Sequence, residues 1–314
     1  MGSPEFAVPS LRALAARHEV ALVVSQPDKP AGRGGKLAAP AVKQAALELG
    51  LPVIQPRSAR TGELQGALAG TGAELAVVVA YGKILPPAVL EALPRGCLNV
   101  HGSILPRYRG AAPVQWAVIH GEAETGVTIM QLDEGMDTGP TLLERRVAVD
   151  PDETAGELLA RLGPIGAEAL LAAIDSLAAG TLRPAPQDHA RATHAPMLTK
   201  ADGAIDFAQP AAAVAARIRG VDPWPGAYAE LRGQPVKLFR ARAEPAGAGA
   251  GAAGAPGVVV AIDAAGARVA CGEGTVVIRE LQAAGRKRLT AAQFAAGRGI
   301  SAGDVLAKPA AVGP

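Results

Sequence analysis

Between residues 9 and 100 the chain alternates four times between a helix-period segment and a short continuous apolar run. Helical spacing predicts helices over 9–17, with proline in the first turn, and over 41–49, 62–68 and 87–93; strands are expected over 19–24, 52–55, 74–80 and 97–100. Strands that are apolar throughout need cover on both faces, so the alternation specifies an α/β fold, a Rossmann-like doubly wound parallel sheet. Ligands of such sheets bind in the crevice beyond the carboxyl ends of the strands. Chemistry is therefore expected at the strand ends.

The fourth run, C-L-N-V, is cut off by His101-Gly102. Asn99 and His101 are two residues apart, so on an extended backbone they face the same side. A further strand is expected over 125–132, and the turn after it, D-E-G-M-D-T-G at 133–139, carries three carboxylates between glycines. An amide N–H and a protonated imidazole both stabilise a developing oxyanion, and a nearby carboxylate keeps the imidazole charged and relays a proton. The set lacks a nucleophile. Ser103 has no G-x-S-x-G elbow around it, so direct attack by a substrate amine on a bound acyl donor fits better than a covalent triad. Residue type and spacing alone leave a structural alternative open, because a strand-end histidine is often a packing residue and an aspartate between glycines is ordinary turn chemistry.

With 314 residues, about two domains are expected. The boundaries read as 1–183 for an α/β catalytic domain, 184–203 for a proline-marked linker, and 204–314 for a second domain. That last stretch has one helix at 211–219, apolar runs at 226–231, 235–241, 257–262, 267–271 and 275–281, and a helix at 291–296, a pattern that suggests a small barrel or sandwich. Helices are also expected over 112–120, 154–162 and 164–179. Residues 1–203 carry 18 basic against 21 acidic side chains, and residues 204–314 carry 13 against 8. A basic second domain beside an acidic first one points to nucleic acid as partner, although ordinary surface solvation explains the same numbers. Within it R-K-R, Arg286, Lys287 and Arg288, is placed to contact phosphates. The formal G-x-G-x-x-G at Gly249, Gly251 and Gly254 neither follows a strand nor opens a helix, and reads as a flexible loop. The Pro- and Gly-rich stretch 25–36 is an exposed basic loop with Arg33 and Lys36; it is neither a Walker A motif nor a dinucleotide fingerprint. V-V-V-A-Y-G at 77–82 puts Tyr81 and Gly82 at another strand end. Cys97 and Cys271 lack C-x-x-C companions and the five histidines are scattered, so neither a disulfide framework nor a metal is expected. No apolar run approaches the ~20 residues of a membrane span, and the reading is a cytoplasmic protein with no membrane partner.

The words N-V-H-G-S-I-L-P-R-Y-R-G-A-A-P and E-T-G-V-T-I-M-Q-L-D-E-G-M-D-T-G resemble the signature of the folate-dependent formyltransferases, most closely their methionyl-tRNA branch. The resemblance implies Asn99, His101 and Asp137 as the catalytic trio. It implies that Ser103, Ile104, Leu105 and Pro106 form the loop against the folate, with Tyr81 and Gly82 bordering it. The co-substrate implied is 10-formyltetrahydrofolate, the acceptor the initiator methionyl-tRNA, and the second domain an oligonucleotide-binding-type (OB-like) barrel that holds the tRNA. P-A-G-R-G resembles the inserted loop that approaches the acceptor end, with Arg33 foremost; a monomer is expected. M-G-S-P-E-F-A-V-P resembles the turn and helix that follow the family's first strand. The expectation is a sheet whose first strand is missing, with a misassigned start as the favoured explanation. The chain as written is then expected to fold poorly and act weakly, and an added apolar strand of about five to seven residues is expected to restore both.

Overall fold

In the computed structural model, which describes residues 1–31, 36–244 and 254–309, the chain divides into two units. The first takes Met1–Pro113, Thr125–Val147 and Leu159–Pro196, and the second takes Val114–Glu124, Ala148–Leu158 and Met197–Pro314.

In chain order the elements begin with helix α1 (Val8–Arg17), strand β1 (Val23–Val24), the ribbon β2 (Lys29–Ala31) and β3 (Lys36–Ala38), α2 (Ala41–Glu48), β4 (Val53–Ile54), α3 (Glu63–Ala69), β5 (Ala76–Val78), α4 (Pro87–Leu90) and β6 (Cys97–His101). Then come α5 (Pro113–Ile119), β7 (Glu124–Gln131), β8 (Thr141–Ala148) and α6 (Ala155–Ala178). Each early helix buries residues one turn apart, Val42, Ala45 and Ala46 in α2 and Leu64 and Leu68 in α3, which is the apolar stripe that holds a helix to a sheet. β1 pairs parallel with β4, and β5 pairs parallel with β6 through Val78 and Asn99. On its other side β6 pairs antiparallel with β7, in a sheet ordered β5-β6-β7-β8. The sheet is thus parallel only up to β6. By its register β7 ends opposite Leu98, near the start of β6, and the turn at 133–139 folds back from there until Asp137 Oδ1 lies 3.7 Å from His101 Nδ1.

Two features differ from the sequence expectation. β8 was not expected: T-L-L-E-R-R-V-A lacks apolar alternation, and none of its residues is buried. α6 runs unbroken for 24 residues with Pro164 inside it, where two helices were expected. A proline in a helix interior costs about 3 kcal/mol. Leu162 and Leu170 on either side are fully buried, and each such side chain contributes about 1.5–3 kcal/mol, which offsets that cost. Met1 and Gly2 lie between the two parallel pairs: Gly2 N–H donates to Val24 O at 2.9 Å and Val79 N–H donates to Met1 O at 2.9 Å. An apolar groove of about 590 Å³ adjoins this stitch, lined by Leu11, Leu14, Val20, Leu22, Val77 and Leu177 among others.

The second unit holds α7 (Ala211–Gly220), β9 (Ala227–Leu231), β10 (Gln234–Glu244), β11 (Val259–Asp263), β12 (Gly266–Ala270), β13 (Thr275–Ala283), β14 (Leu289–Thr290), α8 (Ala291–Ala296) and β15 (Leu306–Ala307). The strands form one curled antiparallel sheet, β11-β12-β13-β10-β9-β15, with β14 on β13. Val259 N–H donates to Asp304 O and Leu306 N–H to Gly257 O, both at 2.8 Å, and so join the two ends of the sheet into a barrel. Along β9 and β10 the inward positions Ala227, Ala229, Leu231, Val236 and Leu238 alternate with more exposed ones, as a closed sheet requires. No helix among the described residues is long and apolar enough to cross a membrane.

Both cysteines are buried, and that burial pushes each thiol up to about 11. A thiolate is the reactive form, so the native protein is expected to leave Cys97 and Cys271 unmodified by a thiol-specific disulfide reagent at pH 8. Two thiols are expected to react in denaturant; a native-state reaction would contradict the burial.

Candidate active site

The site is built from three segments of the first unit: the end of β6, the loop 102–110, and the turn between β7 and β8. Asn99 and His101 are 8% and 5% exposed. The Asn99 side-chain amide has no hydrogen-bond partner among the described residues, yet it is not sealed from solvent. A polar group left this way in a largely buried position is set up to receive a ligand, since in an enclosed site it costs free energy until it is paired. Nε2 of His101 lies 2.9 Å from the carbonyl oxygen of Tyr108. A carbonyl only accepts, so Nε2 carries a proton and Nδ1 is the nitrogen free to gain or lose one. Nδ1 lies 3.7 Å from Oδ1 of Asp137. At this distance an imidazolium and a carboxylate attract without a formed hydrogen bond.

Asp137 has a left-handed backbone, φ +54°, a conformation that aspartate tolerates better than most residues. Its Oδ2 accepts the Gly110 N–H at 2.8 Å. Gly110 has φ +122°, and a Cβ there would stand 2.7 Å from Ala195 O, so only glycine brings this N–H to the carboxylate. The loop 102–110 thus touches both ionisable members of the trio, His101 through Tyr108 O and Asp137 through Gly110 N.

Residues 185–195, within the stretch expected to be a linker, run alongside that loop. Arg109 N–H donates to Thr193 O at 2.8 Å, Ala195 N–H donates to Arg109 O at 2.7 Å, and the Thr193 hydroxyl accepts Tyr108 N–H at 2.9 Å. Ala185 exchanges two backbone bonds with Thr141 at the start of β8. The Arg109 guanidinium, 5% exposed, donates to Gln187 Oε1 from Nε (3.1 Å) and Nη2 (2.7 Å), and Nη2 also lies 3.1 Å from Nδ1 of His189. Sequence reasoning missed Arg109, Gln187, His189 and Thr193. The available signal was a run of hydrogen-bonding types, Q-D-H-A-R-A-T-H at 187–194, in a stretch otherwise read as spacer.

The expected folate-facing residues divide in the structure. Gly82 is exposed, and Ile104 and Pro106 are partly exposed. Tyr81 is not on a ligand surface: it is 1% exposed and packs in the core with Val24, Leu64 and Val89. Ala80 before it has φ +46°, and the turn it makes sends the next side chain inward. Ser103, fully buried, donates its hydroxyl to Arg107 O at 2.6 Å, and Leu105 is 4% exposed. These two hold the loop's shape from within, where the chain turns and Arg107 N–H donates to Ile104 O at 3.1 Å and Leu105 N–H to the Thr128 hydroxyl at 3.2 Å. Arg33 lies outside the described residues, and Lys36, whose side chain does too, begins β3. Arg286, Lys287 and Arg288 are exposed between β13 and β14 of the second unit; Arg288 pairs with Glu280 and lies over the Phe239 ring, 3.9 Å from its centroid. Among the described residues no group of His, Cys, Asp and Glu is placed to hold a metal ion.

Residues 2–174 match the family model for formyl transferase, and residues 197–299 match the one for the formyl transferase C-terminal domain. The chain belongs to the formyl transferase family. It is 50% identical over 307 residues to the methionyl-tRNA formyltransferase of Sorangium cellulosum (strain So ce56), covering 98% of each chain. With that of Thiobacillus denitrificans (strain ATCC 25259 / T1) it shares 51% over 307 residues and 97% of each. Among solved structures it resembles an N-formyltransferase from Helicobacter canadensis in complex with folinic acid and dTDP-3-aminofucose, at a TM-score of 0.66 and 16% identity over 92% of this chain and 97% of that one. At that identity the likeness concerns the fold. As a formyltransferase, the chain has its strand-end pair and its facing carboxylate inside the first matched segment.

Proposed function

We propose that this formyltransferase moves the formyl group of 10-formyltetrahydrofolate to the α-amino group of initiator methionyl-tRNA, giving formylmethionyl-tRNA for translation initiation. Near-full-length relatives bearing that activity in their names support the acceptor. The observation that carries the chemistry is the 3.7 Å approach of His101 Nδ1 to Asp137 Oδ1, with the Asn99 amide two residues away on the same strand and without a hydrogen-bond partner among the described residues. The co-substrate fits this site: the formyl oxygen needs N–H donors, and Asn99 and the charged form of His101 supply them. Gly82, Ile104 and Pro106 offer exposed surface for the pterin-bearing portion.

The folate supplies an activated formyl group, and the chain's residues do the rest by positioning and charge. An aminoacyl amine is no more basic than an ordinary α-amino group, pKa near ~8, so a useful fraction is neutral at pH 7. Asn99 donates to the oxygen that becomes negative as the amine adds. His101, pinned through Nε2–H on Tyr108 O, presents Nδ1–H to the same charge. Asp137, pinned through Oδ2 on Gly110 N–H, holds the imidazolium with Oδ1 and passes the proton lost by the attacking amine to the folate nitrogen as its bond to the formyl carbon breaks. Fixed geometry of these groups supplies much of the remaining acceleration. The enzyme is proposed to act as a cytoplasmic monomer. The deciding experiment incubates the chain with 10-formyltetrahydrofolate and charged initiator tRNA, and looks for a blocked methionyl amine after deacylation; a free amine under conditions that support a known relative would refute the reading.

The tRNA is proposed to meet two basic segments, the loop with Arg33 and Lys36, and Arg286, Lys287 and Arg288. Arg33→Ala, or alanine at all of 286–288, is expected to weaken tRNA binding without changing folate affinity. Each lost phosphate contact should flatten the log–log salt dependence by about one unit. Binding measured at several salt concentrations tests each segment, and an unchanged slope would remove it from the interface.

A further inference from the structure

We propose that Gln187, oriented by Arg109, is a positioning residue for formyl transfer that locks the turn carrying the Asp137 carboxylate. This rests on the reading of Asp137 as catalytic. Gln187 is 8% exposed, and all four of its amide's hydrogen-bonding positions are used. Oε1 accepts two N–H groups from Arg109, at 3.1 and 2.7 Å, while Nε2 donates to Asp137 O at 2.9 Å and to Gly139 O at 2.6 Å. The amide can sit only one way round: a guanidinium has no acceptor and a carbonyl has no donor, so oxygen must face Arg109 and nitrogen must face the turn. The two carbonyls it holds flank Thr138, and the first belongs to the left-handed Asp137 itself.

Arg109 is placed to do more than anchor one amide. Its neighbours Tyr108 and Gly110 bond His101 and the Asp137 carboxylate directly. One short segment therefore fixes the histidine from one side, the carboxylate from a second, and, through Gln187, the backbone under that carboxylate from a third. The Nδ1–Oδ1 gap of 3.7 Å is the dimension this arrangement sets, and a displacement of about 1 Å in such a gap costs on the order of 10²-fold in rate. Loosening the clamp should act on kcat, because nothing in it faces the exposed surface offered to either substrate.

Two substitutions separate the clamp from general packing. Gln187→Met keeps the volume and removes all four bonds; Gln187→Glu keeps the shape and the Arg109 bonds but sets an oxygen against the two carbonyls. Both are expected to lower kcat by ~10–10²-fold with both KM values within about threefold of wild type. Gln187→Glu gains an ion pair to Arg109 and so protects the test against a variant that does not fold. The discriminating measurement is the same substitutions in an Asp137→Asn background. A residue that works through the Asp137 carboxylate should cost less than ~3-fold there, whereas a merely structural one costs the same in both backgrounds. Equal losses in the two backgrounds, or a folded Gln187→Glu with wild-type kcat, would overturn the clamp. If Asp137→Asn itself retained full activity, the catalytic reading of Asp137 would fail, and the clamp with it, by a result distinct from either of those.

Discussion

His101→Ala is expected to lower single-turnover formylation by ~10²–10⁴-fold at saturating folate and tRNA, and Asp137→Asn by a similar factor. The two losses have different origins. The alanine removes the imidazole that faces the Asp137 carboxylate from the end of β6, so the charged donor to the oxyanion disappears. It also removes the 2.9 Å hydrogen bond to Tyr108 O. A lost hydrogen bond costs about 0.5–1.5 kcal/mol, and in a chain of this size each kcal/mol moves Tm by ~2–4 °C. The fold should survive with a modest shift. Asp137→Asn keeps an oxygen able to accept the Gly110 N–H at the position of Oδ2, so stability should hardly change, while the negative charge 3.7 Å from Nδ1 is lost. A rate near wild type in either folded variant would remove that residue from the trio.

The parts of this site that were legible in the sequence are those that depend on neighbours in the chain. Asn99 and His101 share a side because they are two apart on a strand, and the strand itself announces its end with His101-Gly102. The strands of the barrel were readable for the same local reason, their alternation and their turns. What escaped was set by contacts across long separations. Gln187 acts on residues 48 to 78 positions away, and in P-A-P-Q-D-H-A-R-A-T-H the run of hydrogen-bonding types is a hint of a strap but does not say which distant groups it meets. Tyr81 was misplaced because Ala80 takes a left-handed backbone, φ +46°, which a strand pattern does not announce. α6 was divided at Pro164 because the local rule is to break there; the burial of Leu162 and Leu170, a tertiary effect, overrides it. β8 has no apolar pattern because it contributes hydrogen bonds rather than core, so periodicity could not find it.

Gly139→Ala should show how much of catalysis resides in placement alone, because it alters no reacting group. A Cβ at Gly139 would stand 2.0 Å from Gln131 O and 3.1 Å from its carbonyl carbon. Both are backbone atoms at the end of β7, and Gln131 N–H is bonded to Pro140 O at 3.0 Å, so neither strand can give way cheaply. The turn must move instead, and with it the Gly139 carbonyl that Gln187 holds at 2.6 Å. Forcing extra volume into a packed site costs about 1–3 kcal/mol, which corresponds to a fall in Tm of several degrees at ~2–4 °C per kcal/mol. The chemical identity of Asn99, His101 and Asp137 is untouched, yet the Asp137 carboxylate rides on the displaced turn. A shift of about 1 Å is enough to lower kcat by ~10²-fold. Thermal unfolding and kcat measured on the same preparation test both halves: a variant with normal Tm and normal kcat would mean that this turn tolerates a side chain, and that the Asp137 carboxylate is not held by the backbone beneath it.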